Sequence, residues 1–176
     1  MIYFILIFIS YVLTLYPTIS PYRDSGDLIS AAWTLGIAHP PGYPLYSIIG
    51  KIFLTIIPIG NPAYKINLMS AVAGAAAIAI LLKRFKGFSV GIILLSLGFT
   101  IPFWRLSLVS EMYSLNGFFV ALTITAVLNA VDSADQKHAF RNFALAFFLV
   151  GIACGNHLTA VLILPPAALS LYLVSK

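Results

Sequence analysis

The stretch 22–67 decides how the rest of the chain is read. It opens Tyr22-Arg23-Asp24-Ser25-Gly26-Asp27, passes through His39-Pro40-Pro41-Gly42-Tyr43-Pro44 and closes on Lys65-Ile66-Asn67. Its polar residues are too many for lipid and too specifically placed for a bare linker. The sequence around it is greasy: 61% of the 176 residues are hydrophobic, 9% are charged, and the mean hydropathy is +1.01. In soluble domains about a quarter of the residues are charged, so this composition describes an integral membrane protein. At about 20 apolar residues per helical span, there is room for five or six spans and one sizeable loop.

The net charge of +5 does not point to nucleic acid, because the basic residues are scattered or form short clusters between apolar segments. That is the pattern left by the cytoplasmic excess of Lys and Arg. Cys154 is the single cysteine, which excludes an intrachain disulfide, a Cys-based metal site and a redox pair. No phosphate-binding Gly loop, dinucleotide fingerprint or His-Glu-x-x-His occurs. The chain starts Met1-Ile2-Tyr3-Phe4 with no Lys or Arg before the apolar run and no small-residue cleavage motif after it. An uncleaved first span is the expectation, rather than a signal peptide.

Residues 2–19 make that span, stopped by Pro17 and Pro21, with Tyr16 and Tyr22 as interfacial aromatics. Asp24 suits the N-cap of a short helix, Asp27 stands in capping-box position, and Gly36 closes the segment. Leu28, Ala31, Ala32 and Leu35 recur at helical spacing, so this helix lies along the interface. Three prolines and a glycine fix a rigid turn at 39–44. The apolar run 45–57 is only 13 residues long and reads as a second interfacial or re-entrant helix. Residues 66–82, 88–103, 114–131, 143–154 and 158–174 supply the other spans, the last kinked at Pro165-Pro166. The expected fold is an all-α polytopic membrane protein of about six transmembrane helices. Residues 1–176 form one transmembrane domain, and residues 20–65 are its first extracytoplasmic loop.

With the amino terminus in the cytoplasm, Lys83, Arg84, Lys86, Lys137, Arg141 and Lys176 fall on the cytoplasmic side. Arg23, Asp24, Asp27, His39, Lys51, Lys65, Arg105, Glu111, Asn156 and His157 then share the outer side. Were 45–57 a true span, everything after it would change sides and the polar groups could not meet.

Three strings carry a family likeness. Asp24-Ser25-Gly26-Asp27-Leu28-Ile29 is followed by Leu35-Gly36-Ile37-Ala38-His39-Pro40-Pro41-Gly42-Tyr43-Pro44-Leu45-Tyr46 and by Asn67-Leu68-Met69-Ser70-Ala71. Together they resemble the amino-terminal part of a family of multispanning proteins in the GT-C glycosyltransferase superfamily, the transmembrane protein O-mannosyltransferase-like family. Ser110-Glu111-Met112-Tyr113-Ser114-Leu115-Asn116 and Gly155-Asn156-His157-Leu158-Thr159 look like its later motifs, so the likeness covers nearly the whole chain. Two departures stand out. Asp27 falls where the family usually has Glu, and family members are generally much longer.

The resemblance implies an inverting transfer of a sugar, mannose by family analogy, from a polyprenyl-phosphate carrier to a hydroxyl of a protein acceptor outside the cytoplasm. The membrane would be the plasma membrane of a prokaryote or the endoplasmic reticulum of a eukaryote. It implies Asp24 as the base, Asp27 as the group that orients the acceptor or Asp24, and Arg23, His39, Tyr43, Arg105, Glu111, Asn156 and His157 as substrate-binding groups. No metal and no cofactor is expected, because a single phosphate can be held by Arg or His. Structural readings stand beside these. Asp24 as a plain N-cap is worth ~1 kcal/mol, Glu111 suits a helix start, His39 can pack on Tyr43 or Tyr46, and Arg105 beside Trp104 suits an interfacial anchor. The alternative functions are a transporter or flippase for lipid-linked substrates, or a noncatalytic half completed by a second subunit. Transporters set ionisable residues near the midplane, whereas here they sit at span ends.

Overall fold

Backbone in lipid must satisfy its own hydrogen bonds. The computed structural model, which describes residues 2–21 and 23–174, does this with helices alone. Among these residues are α1 (Ile2–Leu13), α2 (Ser25–Thr34), α3 (Pro44–Ile56), α4 (Pro62–Arg84), α5 (Phe88–Gly98), α6 (Ile101–Ser107), α7 (Met112–Val131), α8 (Gln136–Cys154), a 3-10 helix (Leu158–Ile163) and α9 (Leu164–Val174). Tyr22 and Lys176, expected at the interface and in the cytoplasm, lie outside the described residues.

Three helices are long and apolar enough to cross a membrane: α4 with 23 residues, α7 with 20 and α8 with 19. A fourth is added if α5 and α6, bent by 59°, count as one span. The six segments expected to span are all helical, but proline shortens several of them. A proline ring clashes with the carbonyl four residues back and withholds a donor from it. Pro17 accordingly ends α1 at Leu13, and Pro102 ends α5 at Gly98, splitting the run 88–103. Ahead of Pro165-Pro166 the chain tightens into the 3-10 helix before α9 begins.

Caps lengthen other helices beyond their expected starts. Asn61 accepts from the Tyr64 N–H at 2.9 Å and Pro62 follows at the first helical position, so α4 starts at 62 rather than 66. Asp135 accepts from the His138 N–H at 3.0 Å, which draws α8 back to Gln136. For α2 the boundaries agree but the devices differ. Asp24 occupies the N-cap without a side-chain cap bond, Asp27 is engaged elsewhere, and the left-handed residue ending the helix is Leu35 (φ 54°), not Gly36.

The centre of the bundle is α4. One face, with Ile66, Met69 and Ala73, joins a core built with Leu28, Tyr46, Met112, Phe119 and Ala153 from α2, α3, α7 and α8. The opposite face, with Ala71, Ala75 and Ile78, packs on Ile7, Tyr11, Leu108 and Val109. Small residues permit this two-sided approach. A Cβ on Gly74 would lie 2.3 Å from Ser107 Oγ and 2.9 Å from Ser107 Cβ, whereas one on Gly151 would meet nothing within 4 Å. Gly74→Val is therefore expected to cost about 1–3 kcal/mol through overpacking, seen as a lowered Tm in detergent. Gly151→Ala should leave the Tm unchanged or slightly raised.

Contacts at the two ends of α3 hold it to one end of the bundle. The Leu45 N–H donates to the Gly155 carbonyl at 2.9 Å, and Lys65 Nζ donates to the Leu54 carbonyl at 3.2 Å. At mid-helix Lys51 Nζ donates to the Trp33 carbonyl at 2.6 Å, tying α3 to α2. The first turn of α4 and the end of α8 thus flank the same short helix. The far end of α4 carries Arg84, which pairs with Asp132 at the end of α7.

Candidate functional site

Three segments distant in sequence meet at the α3 end of the bundle: the loop around α2, the turn between α6 and α7, and the corner after α8. The polar residues singled out in the sequence are concentrated there.

His39 is the hub. Its Nδ1 lies 2.7 Å from Asp27 Oδ2, which also accepts the His39 backbone N–H at 3.0 Å. On the other side of the ring Nε2 lies 3.6 Å from Asp24 Oδ2. These two bonds hold the Asp27 carboxyl below the ordinary 3.8, the backbone N–H contributing most and the ring next. Reciprocally, the hydrogen bond to Asp27 lifts His39 above its usual 6.5 against the opposing effect of burial, with smaller help from the charges of Asp24 and Asp27. The side chains of His39, Asp24 and Asp27 are 39%, 46% and 47% exposed, so water and substrate reach them.

The proline-rich turn aims the next ring. Gly42 has φ +98°, where a Cβ would be strained, and Tyr43 continues in the left-handed region at φ 45° before Pro44 starts α3. Tyr43 is thereby buried between His39, at 5.1 Å between ring centroids, and His157, at 6.2 Å. Tyr113 closes the far side of His157 at 5.5 Å and carries the Arg23 guanidinium 5.8 Å from its ring centroid. Arg105 is exposed on α6, the segment that leads into the same turn.

His157 has a defined tautomer. The Thr159 N–H donates to its Nδ1 at 3.3 Å and the Thr159 hydroxyl lies 2.6 Å from the same nitrogen. Nδ1 is thus an acceptor and the proton sits on Nε2. Burial pushes this histidine below 6.5, so it is a neutral donor near neutral pH.

Glu111 and Asn156 are fully buried and hold backbone rather than face the exposed cluster. Glu111 Oε1 accepts the Asp24 N–H at 3.2 Å, and Asn156 Nδ2 donates to the Met112 carbonyl at 3.1 Å. Beneath them Asn67 donates to the carbonyls of Tyr16 and Thr18 and accepts from the Ser110 hydroxyl at 2.6 Å. Among the described residues no group of three His, Cys, Asp or Glu side chains is placed to hold a metal ion.

Tyr113, Asn67 and Ser110 are not among the site residues expected from sequence, although all three stand in the strings that carry the family likeness. For Tyr113 the available signal was its place in the Ser110-Glu111-Met112-Tyr113 string, next to an acid at a helix start.

Comparison with known proteins bears on the same region. The family described as Protein O-mannosyl-transferase TMEM260 N-terminal domain matches residues 24–94 and 87–176. Protein O-mannosyl-transferase TMEM260 of Mus musculus is 35% identical over 151 residues, covering 83% of this chain and 22% of that protein. Protein O-mannosyl-transferase tmem260 of Dictyostelium discoideum is 33% identical over 191 residues, 97% of this chain and 23% of its own length. The chain spans less than a quarter of the length of these curated relatives. No solved structure matches it.

Proposed function

Because the chain belongs to the family of protein O-mannosyl-transferase TMEM260 N-terminal domains, we propose that it contributes the reaction centre of a membrane glycosyltransferase of GT-C type. The donor is a polyprenyl-phosphate sugar, with mannose the sugar in the names of the relatives, and the acceptor is a hydroxyl of a protein. The reacting face is extracytoplasmic, in a prokaryotic plasma membrane or a eukaryotic endoplasmic reticulum. The observation that carries this reading is the half-exposed Asp24 carboxylate set 3.6 Å from His39 Nε2, with Asp27 fixing the other side of the ring.

The roles follow from the charge changes of the reaction. The acceptor oxygen attacks the anomeric carbon and the bond from that carbon to the phosphate oxygen breaks, with inversion. The hydroxyl proton passes to Asp24, and the electron pair leaves with the lipid phosphate. A general base contributes about 10²–10⁴-fold, and donors aimed at the accumulating phosphate charge a comparable factor. Asp27 orients His39 and favours its cationic form. His39, Arg23 and Arg105 supply positive charge to the phosphate, and His157 supplies a neutral Nε2–H donor. Tyr43 packs between the two histidines and Tyr113 packs against His157, holding both rings in place.

The test is incubation of the membrane-embedded protein with a labelled polyprenyl-phosphate mannose and a protein acceptor. Label on acceptor hydroxyls, with inverted configuration at the anomeric carbon, is the expected result. Unlabelled acceptor together with movement of the lipid-linked sugar across the bilayer would replace the transferase by a transporter.

A further inference from the structure

We infer that Glu111 is a positioning residue, a buried acid that sets the place of Asp24 through its backbone N–H and so locks the first loop onto the head of α7. This rests on the reading of Asp24 as the base. Glu111 is 0% exposed, so it does not contact substrate, yet it touches the segment that carries the base.

The loop needs such a hold. Arg23 is in the left-handed region at φ 59°, and Asp24 has φ −96° and ψ 6° with no side-chain cap bond to α2. The Asp24 carbonyl is tied to α2 by the Leu28 N–H at 3.0 Å, whereas its own N–H is held from 87 residues away, at 3.2 Å.

The surroundings of Glu111 favour its neutral form. Its Oε2 is buried without a hydrogen-bond partner among the described residues, as is the Tyr46 hydroxyl, which lies near Ser70 and Ser110. The ionisable groups facing it are Asp24, Arg23 and His39 from the first loop and Tyr46 from α3. Burial raises its pKa above the usual 4.5, and the charge of Asp24 adds to that. The Asp24 N–H and the charges of Arg23 and His39 oppose it without reversing it. A neutral carboxyl keeps a carbonyl-type oxygen for the Asp24 N–H, which an amide would reproduce. An ionised one would put a second negative charge behind the base.

The experiment uses the intact gene product in nanodiscs. Misplacing a catalytic group by about 1 Å costs up to 10²-fold. Glu111→Ala and Glu111→Asp, which remove or shorten the reach, are expected to lower kcat 10- to 100-fold with KM within threefold. Glu111→Gln should recover all but about threefold of the rate, the acceptor oxygen being what matters. In parallel, hydrogen exchange at the Asp24 amide should accelerate in Glu111→Ala, while exchange in the second half of α2 stays unchanged. Glu111→Gln as slow as Glu111→Ala would overturn the inference by making the carboxylate itself chemical. An Asp24 amide equally protected in Glu111→Ala would overturn it as well. If wild type transfers no sugar, the transferase reading fails, while the exchange measurement still decides whether Glu111 holds Asp24.

Discussion

Asp24→Asn is expected to reduce sugar transfer by about 10³-fold, within the 10²–10⁴ range for removing a general base, without changing the Tm. The two halves of that expectation separate the chemical role from the structural one. Asp24 occupies the N-cap of α2 but its side chain makes no cap bond there, and Asn is as good a cap residue as Asp. The Asn backbone still donates to Glu111 Oε1, so the loop keeps its anchor. The side chain is 46% exposed, and an amide of nearly equal size creates neither cavity nor overlap. What the amide cannot do is take the acceptor's proton. Transfer within a few-fold of wild type, at unchanged Tm, would show that the base lies elsewhere, with Asp27 the next carboxylate on the same face. The measurement is the initial rate with donor and acceptor both saturating, so that a binding defect does not pass for a chemical one.

Much of this arrangement was legible because it depends on composition and on short-range punctuation. The apolar runs identify the helices, and the proline-rich turn with the acids before it marks the end of the bundle where polar groups gather. Proline placement was legible too, but its consequence was underestimated. Pro17 and Pro102 cut their helices four residues upstream, not at the ring, which shortens two expected spans. The partners of each polar side chain were not legible. Asp27 stands where a capping acid would, yet its carboxylate turns to His39, twelve residues on, because a charged pair plus a backbone N–H outweighs one cap bond. Glu111 looks like another helix-start acid, and only the packing of α7 against the first loop turns it inward. The burial of Asn67 under Ser110 likewise needs the tertiary approach of α4 to the α6–α7 turn, which no local pattern encodes.

His39→Ala is expected to lower kcat by about 10²-fold below the lifted His39 value, the scale of losing one preorganised group on a developing charge, with the deficit shrinking as pH rises through that value. Asp27→Asn should instead move the pH profile. The direction follows from the two shifts. His39 is lifted above 6.5, chiefly by its bond to Asp27, so its cation is fully present below 6.5 and is lost as pH rises through the lifted value. Asp27 is held below 3.8, so its charge is present above 3.8 and is lost as pH falls through the lowered value. The intact pair therefore spans the interval from below 3.8 to above 6.5, and kcat/KM, which reports the free enzyme's ionisations, should show its alkaline limb at the lifted His39 value. In Asp27→Asn the main cause of the lift is gone, leaving burial, which favours the neutral ring, against the smaller attraction of Asp24. The limb should thus shift toward lower pH. Rates near pH 6 would change little and rates near pH 8 would drop. Both side chains are largely exposed, so high salt should narrow the difference between wild type and variant. An alkaline limb that stays in place in Asp27→Asn, with transfer lost at every pH in Arg23→Gln, would move the phosphate-holding charge from the histidine to the arginine, whose guanidinium does not titrate in this range. A limb unaffected by Asp27→Asn together with a rate unaffected by Arg23→Gln would mean that the leaving phosphate is neutralised by groups outside this cluster.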